Sequence, residues 1–238
     1  MTLIAGIDDA GRGPVIGPLI VAGVLIHDHQ ESQLTAIGVK DSKALSPRRR
    51  HGLAPQIQAL AVKYTLVELS PQAIDDVVFR GQRLRKLNWL EAQAMATVIR
   101  RLRPEVAYVD ASDVLARRFG DQIREALPFE VDVVSEHRAD VTYPVVSAAS
   151  ILAKTRRDQA VAALRAVHGD LGSGYSSDPK TRRFLREWFQ TRGGEALPSF
   201  VRASWKTIRT LKAEAQQAPT VLDAASPAAV KADTSPRP

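Results

Sequence analysis

The apolar positions of this chain follow two rhythms. Thr2 to Ile7 and Leu19 to Ile26 are short apolar runs rich in β-branched residues, separated by the Gly and Pro cluster from Gly11 to Pro18. Runs of that length bounded by turn residues predict two buried strands joined by a structured loop. Val62 to Leu69 and Val106 to Val109 predict further strands, and Phe129 to Val134 alternates weakly. Elsewhere the period lengthens. Leu87, Leu90, Ala94, Val98 and Leu102 recur at helical spacing and predict an amphipathic helix. Ser46-Pro47 opens another that reaches about Leu60, because Ser caps a helix and Pro is tolerated in its first turn. Three more are expected over Ser147 to His168, Asp178 to Thr191 and Arg202 to Lys212. Strands dominate the first half and helices the last third, so the expected class is α/β, a mixed sheet with flanking helices and a helical C-terminal appendage. From about Ala213 the sequence turns to Ala, Pro, Gln, Ser and Thr with no aromatic residue and no period, and a disordered tail is expected over 213–238.

Composition narrows this picture only a little. A chain of 238 residues has room for one sizeable domain with a small appendage. There is no cysteine, which excludes disulfides, thiolate metal sites and cysteine nucleophiles. The start, MTLIAGIDDAG, lacks a basic leader, and no apolar run approaches the ~18 residues a membrane span needs, so a cytoplasmic protein without membrane contact is expected. The net charge of +7 suggests a polyanionic partner, and its placement sharpens the suggestion. Ser150 to Lys212 holds thirteen Lys and Arg against five Asp and Glu, a surplus equal to that of the whole chain up to Lys212. A set of solvated helix faces would explain the same charge equally well.

The densest chemical signal is Gly6-Ile7-Asp8-Asp9-Ala10-Gly11-Arg12-Gly13-Pro14, two adjacent acids at the end of an apolar strand. Neighbours on a strand point to opposite faces. Asp8 and Asp9 therefore share one site only if the strand ends or bulges there, which the glycines would permit. A second strand, Val106 to Val109, runs straight into Asp110, and Asp140 lies in Glu136-His137-Arg138-Ala139-Asp140 just before a helix. Acids on separate segments can converge on a divalent cation, and an oxygen-only set favours Mg²⁺ or Mn²⁺ over zinc. Asp113 and Asp178 read better as cap or turn residues than as ligands.

Gly6 to Pro18, Lys40-Asp41-Ser42-Lys43, Tyr108 to Val114, His137 to Asp158 and Gly172-Ser173-Gly174-Tyr175 occur in an order that resembles the ribonuclease HII family in its archaeal style. The resemblance implies an RNase H-like mixed five-stranded sheet with flanking helices. On it, residues 1–145 would form the catalytic core and 146–212 a helical part that contributes to nucleic-acid binding. It places the family's four catalytic, metal-binding acids on Asp8, Asp9, Asp110 and Asp140, with Mn²⁺ or Mg²⁺ as cofactor. Asp9 departs from the family, whose second acid is Glu. The resemblance further implies that Gly11, Arg12 and Gly13 bring backbone groups to a ribonucleotide's 2′-hydroxyl and that Tyr175 stacks on the adjacent deoxyribose. Lys40, Ser42 and Lys43 would touch phosphates, although alone such a segment reads as a solvated turn. The implied activity is cutting of RNA in RNA–DNA hybrids and at single ribonucleotides in duplex DNA, by a monomer. Another metal-dependent nuclease or strand-transfer enzyme on the same fold, or a hybrid-binding protein with a decayed site, are the competing readings.

Overall fold

The computed structural model describes residues 1–39, 45–80, 86–192 and 197–217. The chain runs through β1 (Leu3–Ala10), β2 (Leu19–His27), α1 (Glu31–Ala36), α2 (Pro47–Leu60), β3 (Lys63–Leu69), α3 (Pro71–Arg80), α4 (Leu87–Leu102), β4 (Val106–Asp110), α5 (Ala116–Glu125), β5 (Asp132–Glu136), α6 (Ala139–Thr142), α7 (Pro144–His168), α8 (Pro179–Arg192) and α9 (Lys206–Gln217). The five strands form one sheet in the order β3-β2-β1-β4-β5. β1, β2 and β3 are an antiparallel meander, whereas β1, β4 and β5 pair in parallel.

Helices cover both faces of the sheet, which is why β2 is buried along nearly its whole length. On one face Ile4, Ile20, Ala22, Val24 and Ile26 pack with α1, α2 and α7; on the other Ala5, Ile7, Val21 and Leu25 pack with α4 and α5. The closest approach is at Gly6, where an added Cβ would lie 2.2 Å from the Val145 carbonyl group, so α7 rests directly on the β1 backbone. A third apolar cluster joins Val15 and Ile16 to α8, α9 and Val201. The C-terminal helices are therefore packed onto the loop between β1 and β2.

The expected strands and long helices are present, with shifted edges. The Ser46 side chain accepts from the Arg49 N–H at 3.2 Å and starts α2 as expected. α4 spans the predicted stripe and ends at Arg103 in the left-handed conformation, φ 58°, just before Pro104. The short strand predicted from Phe129 lies instead over Asp132–Glu136, in register with β4. The last helix starts at Lys206 and runs to Gln217, because residues 202 to 205 form a turn with another task, and its last turn enters the segment expected to be a tail. Residues 218–238 lie outside the described residues, as do Lys40, Ser42 and Lys43. No described helix is long and apolar enough to cross a membrane.

Candidate functional site

Pairing register decides which acids meet. β1 lies beside β4 in parallel with Ile7 opposite Val109, so Asp8 and Asp110 follow at the same level. Ile7 and Val109 both face α4, and strand alternation turns Asp8 and Asp110 together toward α7. There the Asp8 carboxylate accepts from the Asp9 N–H at 2.7 Å and bonds to Ser150 of α7. The Asp110 Oδ1 accepts from the Ala139 N–H at 2.9 Å, which sets the start of α6, and buried Asp140, next to Asp110.

Asp9 is arranged differently. The ladder continues through Asp9 opposite Val21 to Ala10 opposite Ile20, so the strand neither ends nor bulges at the paired acids, and the condition for both to face one side is not met within the strand. The bend comes at Gly11, φ +96°, where a Cβ would stand 2.6 Å from the Pro18 carbonyl oxygen. Asp9 therefore faces the α4 side and is held by the Ser112 hydroxyl at 3.0 Å. The acids still feel one another around the strand end. Burial raises the Asp8 carboxyl well above the usual carboxylate range, and the charges of Asp9 and Asp110 raise it further. Burial also raises Asp9, opposed by Ser112, Arg12 and Lys154 and reinforced by Asp110.

Carboxylates that raise one another at the end of a sheet suit a hard divalent cation, whose charge would reverse the repulsion. Asp8, Asp9 and Asp110 fit that role by chemistry and mutual influence, and Asp140 by adjacency. Among the described residues no three acids or imidazoles are gathered at ligand spacing. Asp113 and Asp178 are turn residues as expected. Asp113 accepts from the Leu115 N–H at 3.0 Å, and Asp178 from the N–H groups of Ser173 at 2.6 Å and Lys180 at 2.9 Å.

Beside the acids opens a cavity of about 510 Å³ lined by Asp9, Gly11, Arg12, Gly13, Arg50, Lys154, Arg157, Asp158 and Tyr175. The two glycine elements meet across it: the Tyr175 ring is 3.5 Å from where a Gly13 Cβ would stand, and the Arg157 guanidinium lies 5.1 Å from the ring centre. The Gly174 carbonyl accepts from the N–H groups of Val15 at 2.8 Å and Ile16 at 3.1 Å, which fastens the Tyr175 loop to the loop after β1. Arg12 is held by three partners. Its guanidinium donates to Glu91 at 2.6 Å, Asn88 at 2.7 Å and the Ser112 carbonyl at 2.9 Å. Burial, then the Asp9 charge, push Glu91 up to about 8 against the pull of Arg12.

Several of these partners escaped the sequence reading. Glu91 was findable, since it is an acid inside the apolar stripe between Leu90 and Ala94 and is fully buried. Ser150, Lys154 and Arg157 follow at helical spacing on α7, a signal that apolar periodicity does not pick up. The positive surplus of the last quarter is less uniform than its count suggests. Arg156, Lys180 and Arg186 are ion-paired, Arg165 bonds the Gly172 carbonyl, and Arg202 is buried.

The sequence profile of the family described as Ribonuclease HII matches residues 5–208. The Ribonuclease HII of Thermococcus sibiricus is 43% identical over 216 residues, covering 90% of this chain and 93% of that relative. The crystal structure of the ribonuclease H2 from Pyrococcus horikoshii OT3 superposes with a TM-score of 0.83 at 38% identity, covering 91% of this chain and all of that one. Bst-RNase HIII in complex with Mn²⁺ superposes with a TM-score of 0.76 at 19% identity, over 91% of this chain and 71% of that one, a likeness of fold alone.

Proposed function

The chain belongs to the ribonuclease HII family and is a ribonuclease H enzyme, and from that premise we propose that it hydrolyses the RNA strand of RNA–DNA hybrids internally and incises duplex DNA 5′ to a single ribonucleotide, leaving 3′-hydroxyl and 5′-phosphate ends. The observation that carries the reading is the cavity in which Gly11 to Gly13 face Tyr175 beside Asp9. Glycine allows a backbone to approach a sugar closely, and a 2′-hydroxyl is what distinguishes RNA from DNA. A ring across the cavity suits stacking on the next, deoxy sugar. A site with both elements recognises an RNA-to-DNA junction.

Asp8, Asp9, Asp110 and Asp140 are the residues that would hold Mg²⁺ or Mn²⁺, and such a pair of cations supplies an activated water and a stabilised leaving oxygen for a phosphodiester. The chain's own side chains do the rest. Ser150 and the Asp9 N–H orient Asp8, Ser112 orients Asp9, and the Ala139 N–H orients Asp110. Lys154, Arg157 and Arg50 line the cavity where the backbone phosphates of a duplex would lie, so affinity should fall steeply with salt. The test is cleavage of duplexes that hold four, one or no ribonucleotides, in Mg²⁺ and in Mn²⁺. Cutting of the first two and not the third is expected, and intact single-ribonucleotide duplexes would defeat the junction reading.

A further inference from the structure

The most deeply buried cation among the described residues lies outside the acids and the cavity. Arg202 has no solvent exposure and makes no ion pair among the described residues; its guanidinium is spent on backbone carbonyls of the loop after β1. Nη2 donates to Gly11 at 2.5 Å and to Gly17 at 2.9 Å, Nη1 to Arg12 at 2.9 Å, and Nε to Gly17 at 3.0 Å. Three residues on, the Trp205 indole N–H donates to the Gly13 carbonyl at 3.0 Å, with its ring 4.8 Å from the Arg202 guanidinium carbon. The Arg202 N–H donates to Val15, and the Gly17 N–H to Phe200. From the other side, Asp75 of α3 accepts from the N–H groups of Ala203 at 2.7 Å and Ser204 at 2.9 Å. Burial and then the Arg157 charge lower Arg202 to about 10 while the charge of Asp75 supports it, so it is a cation at neutral pH.

This pattern has a consequence for the loop it holds. In a trans peptide the carbonyl and the following N–H point in opposite directions, and no described peptide is cis. With the Gly11 and Arg12 carbonyls turned to Arg202, the N–H groups of Arg12 and Gly13 point away from it, and Pro14 offers none for the third peptide. Gly11 to Gly13 line the cavity. A buried guanidinium that can be satisfied only by several carbonyls in one fixed fork selects one orientation of those peptides over the alternatives that glycines would otherwise allow.

We propose that Arg202, assisted by Trp205, is a positioning residue that fixes the peptide orientation of Gly11 to Gly13, so that the C-terminal segment governs discrimination between ribose and deoxyribose. The proposal rests on the reading of Gly11 to Gly13 as the element that meets the 2′-hydroxyl. It is tested by measuring, in chelator so that no turnover occurs, the affinities of the unmodified protein, Trp205→Phe and Arg202→Lys for two duplexes that differ only in one 2′-hydroxyl. Trp205→Phe keeps the ring and loses one hydrogen bond, and should reduce the preference for the ribonucleotide duplex about threefold to tenfold. Arg202→Lys keeps the charge and loses the fork, and should reduce it more than about tenfold, with affinity for the all-DNA duplex changing by less than about twofold. A merely structural role would lower the melting temperature and weaken both duplexes alike, and that result overturns the proposal, as does an unchanged preference in a folded variant. Should Arg202→Lys not fold, Trp205→Phe decides alone. No preference in the unmodified protein would instead remove the reading of Gly11 to Gly13 on which the proposal stands.

Discussion

Replacing Asp8 by Asn should abolish cutting and at the same time stabilise the metal-free protein. Asp8 is buried beside two other acids, and its carboxyl is raised first by desolvation and then by Asp9 and Asp110. A group whose pKa is raised on folding favours the folded state only while protonated. Its contribution is present below the unfolded value of about 4 and is lost as pH climbs through the folded value. At pH 8 the folded protein must therefore carry a buried charge or hold a proton that the unfolded chain would release. An asparagine removes that cost and can still accept from the Asp9 N–H through its amide oxygen. Relief of a poorly compensated buried charge is worth about 1–3 kcal/mol. For a chain of this size that is a rise of about 2–12 °C in melting temperature. The assay is thermal unfolding in chelator from pH 4 to pH 8. The gap between Asp8→Asn and the unmodified protein should be small near pH 4 and should widen upward. Added Mn²⁺ should then stabilise the unmodified protein by binding the native state and narrow the gap. A variant that melts lower at pH 8, or a gap without pH dependence, would refute the account of these acids as mutually repelling.

Gly6→Ala should cost about 3 kcal/mol in urea unfolding, because its Cβ would meet the Val145 backbone at 2.2 Å and α7 cannot recede without opening the core; a loss below about 1 kcal/mol would mean that the start of α7 yields easily. Glu91 is held at about 8, so stability should decline as pH rises from about 5 to 8 while the unfolded carboxyl ionises. Glu91→Gln should flatten that decline and melt above the unmodified protein at pH 8, whereas lower stability at every pH would identify an ionised pair with Arg12. Tyr175→Ala should weaken cutting at single ribonucleotides about tenfold, the low end of stacking energies of ~1–3 kcal/mol, and long hybrids less. Equal losses on both substrates would show the ring to be packing only.

Much of the scaffold could be read from the order of residues because its causes are local. The stripe from Leu87 to Leu102 gave α4 its limits, Ser46 and Pro47 gave α2 its start, and the apolar runs marked β1 and β2. Asp8, Asp9 and Asp110 could be picked out because acids at the end of buried strands are costly without a charged ligand. Which of them share a face could not. Strand alternation separates Asp8 from Asp9, and only the parallel register of Ile7 with Val109 sets Asp8 beside Asp110. The bend or bulge that the glycines would permit does not fall at the paired acids, because the antiparallel partner keeps the ladder intact to Ala10. The basic surplus was also misleading as a count. Whether an arginine meets solvent, a carboxylate or a carbonyl depends on what folds over it, and several of these close loops instead of facing a ligand. Arg202 is the extreme case. Its carbonyl partners precede it by 185 to 191 residues, and no periodicity, cap or motif can signal a bond across that separation. Local chemistry along the chain thus determined the elements and named the acids, while the choice of faces and the anchoring of the Gly11 to Gly13 loop were decided only when distant segments were brought into register.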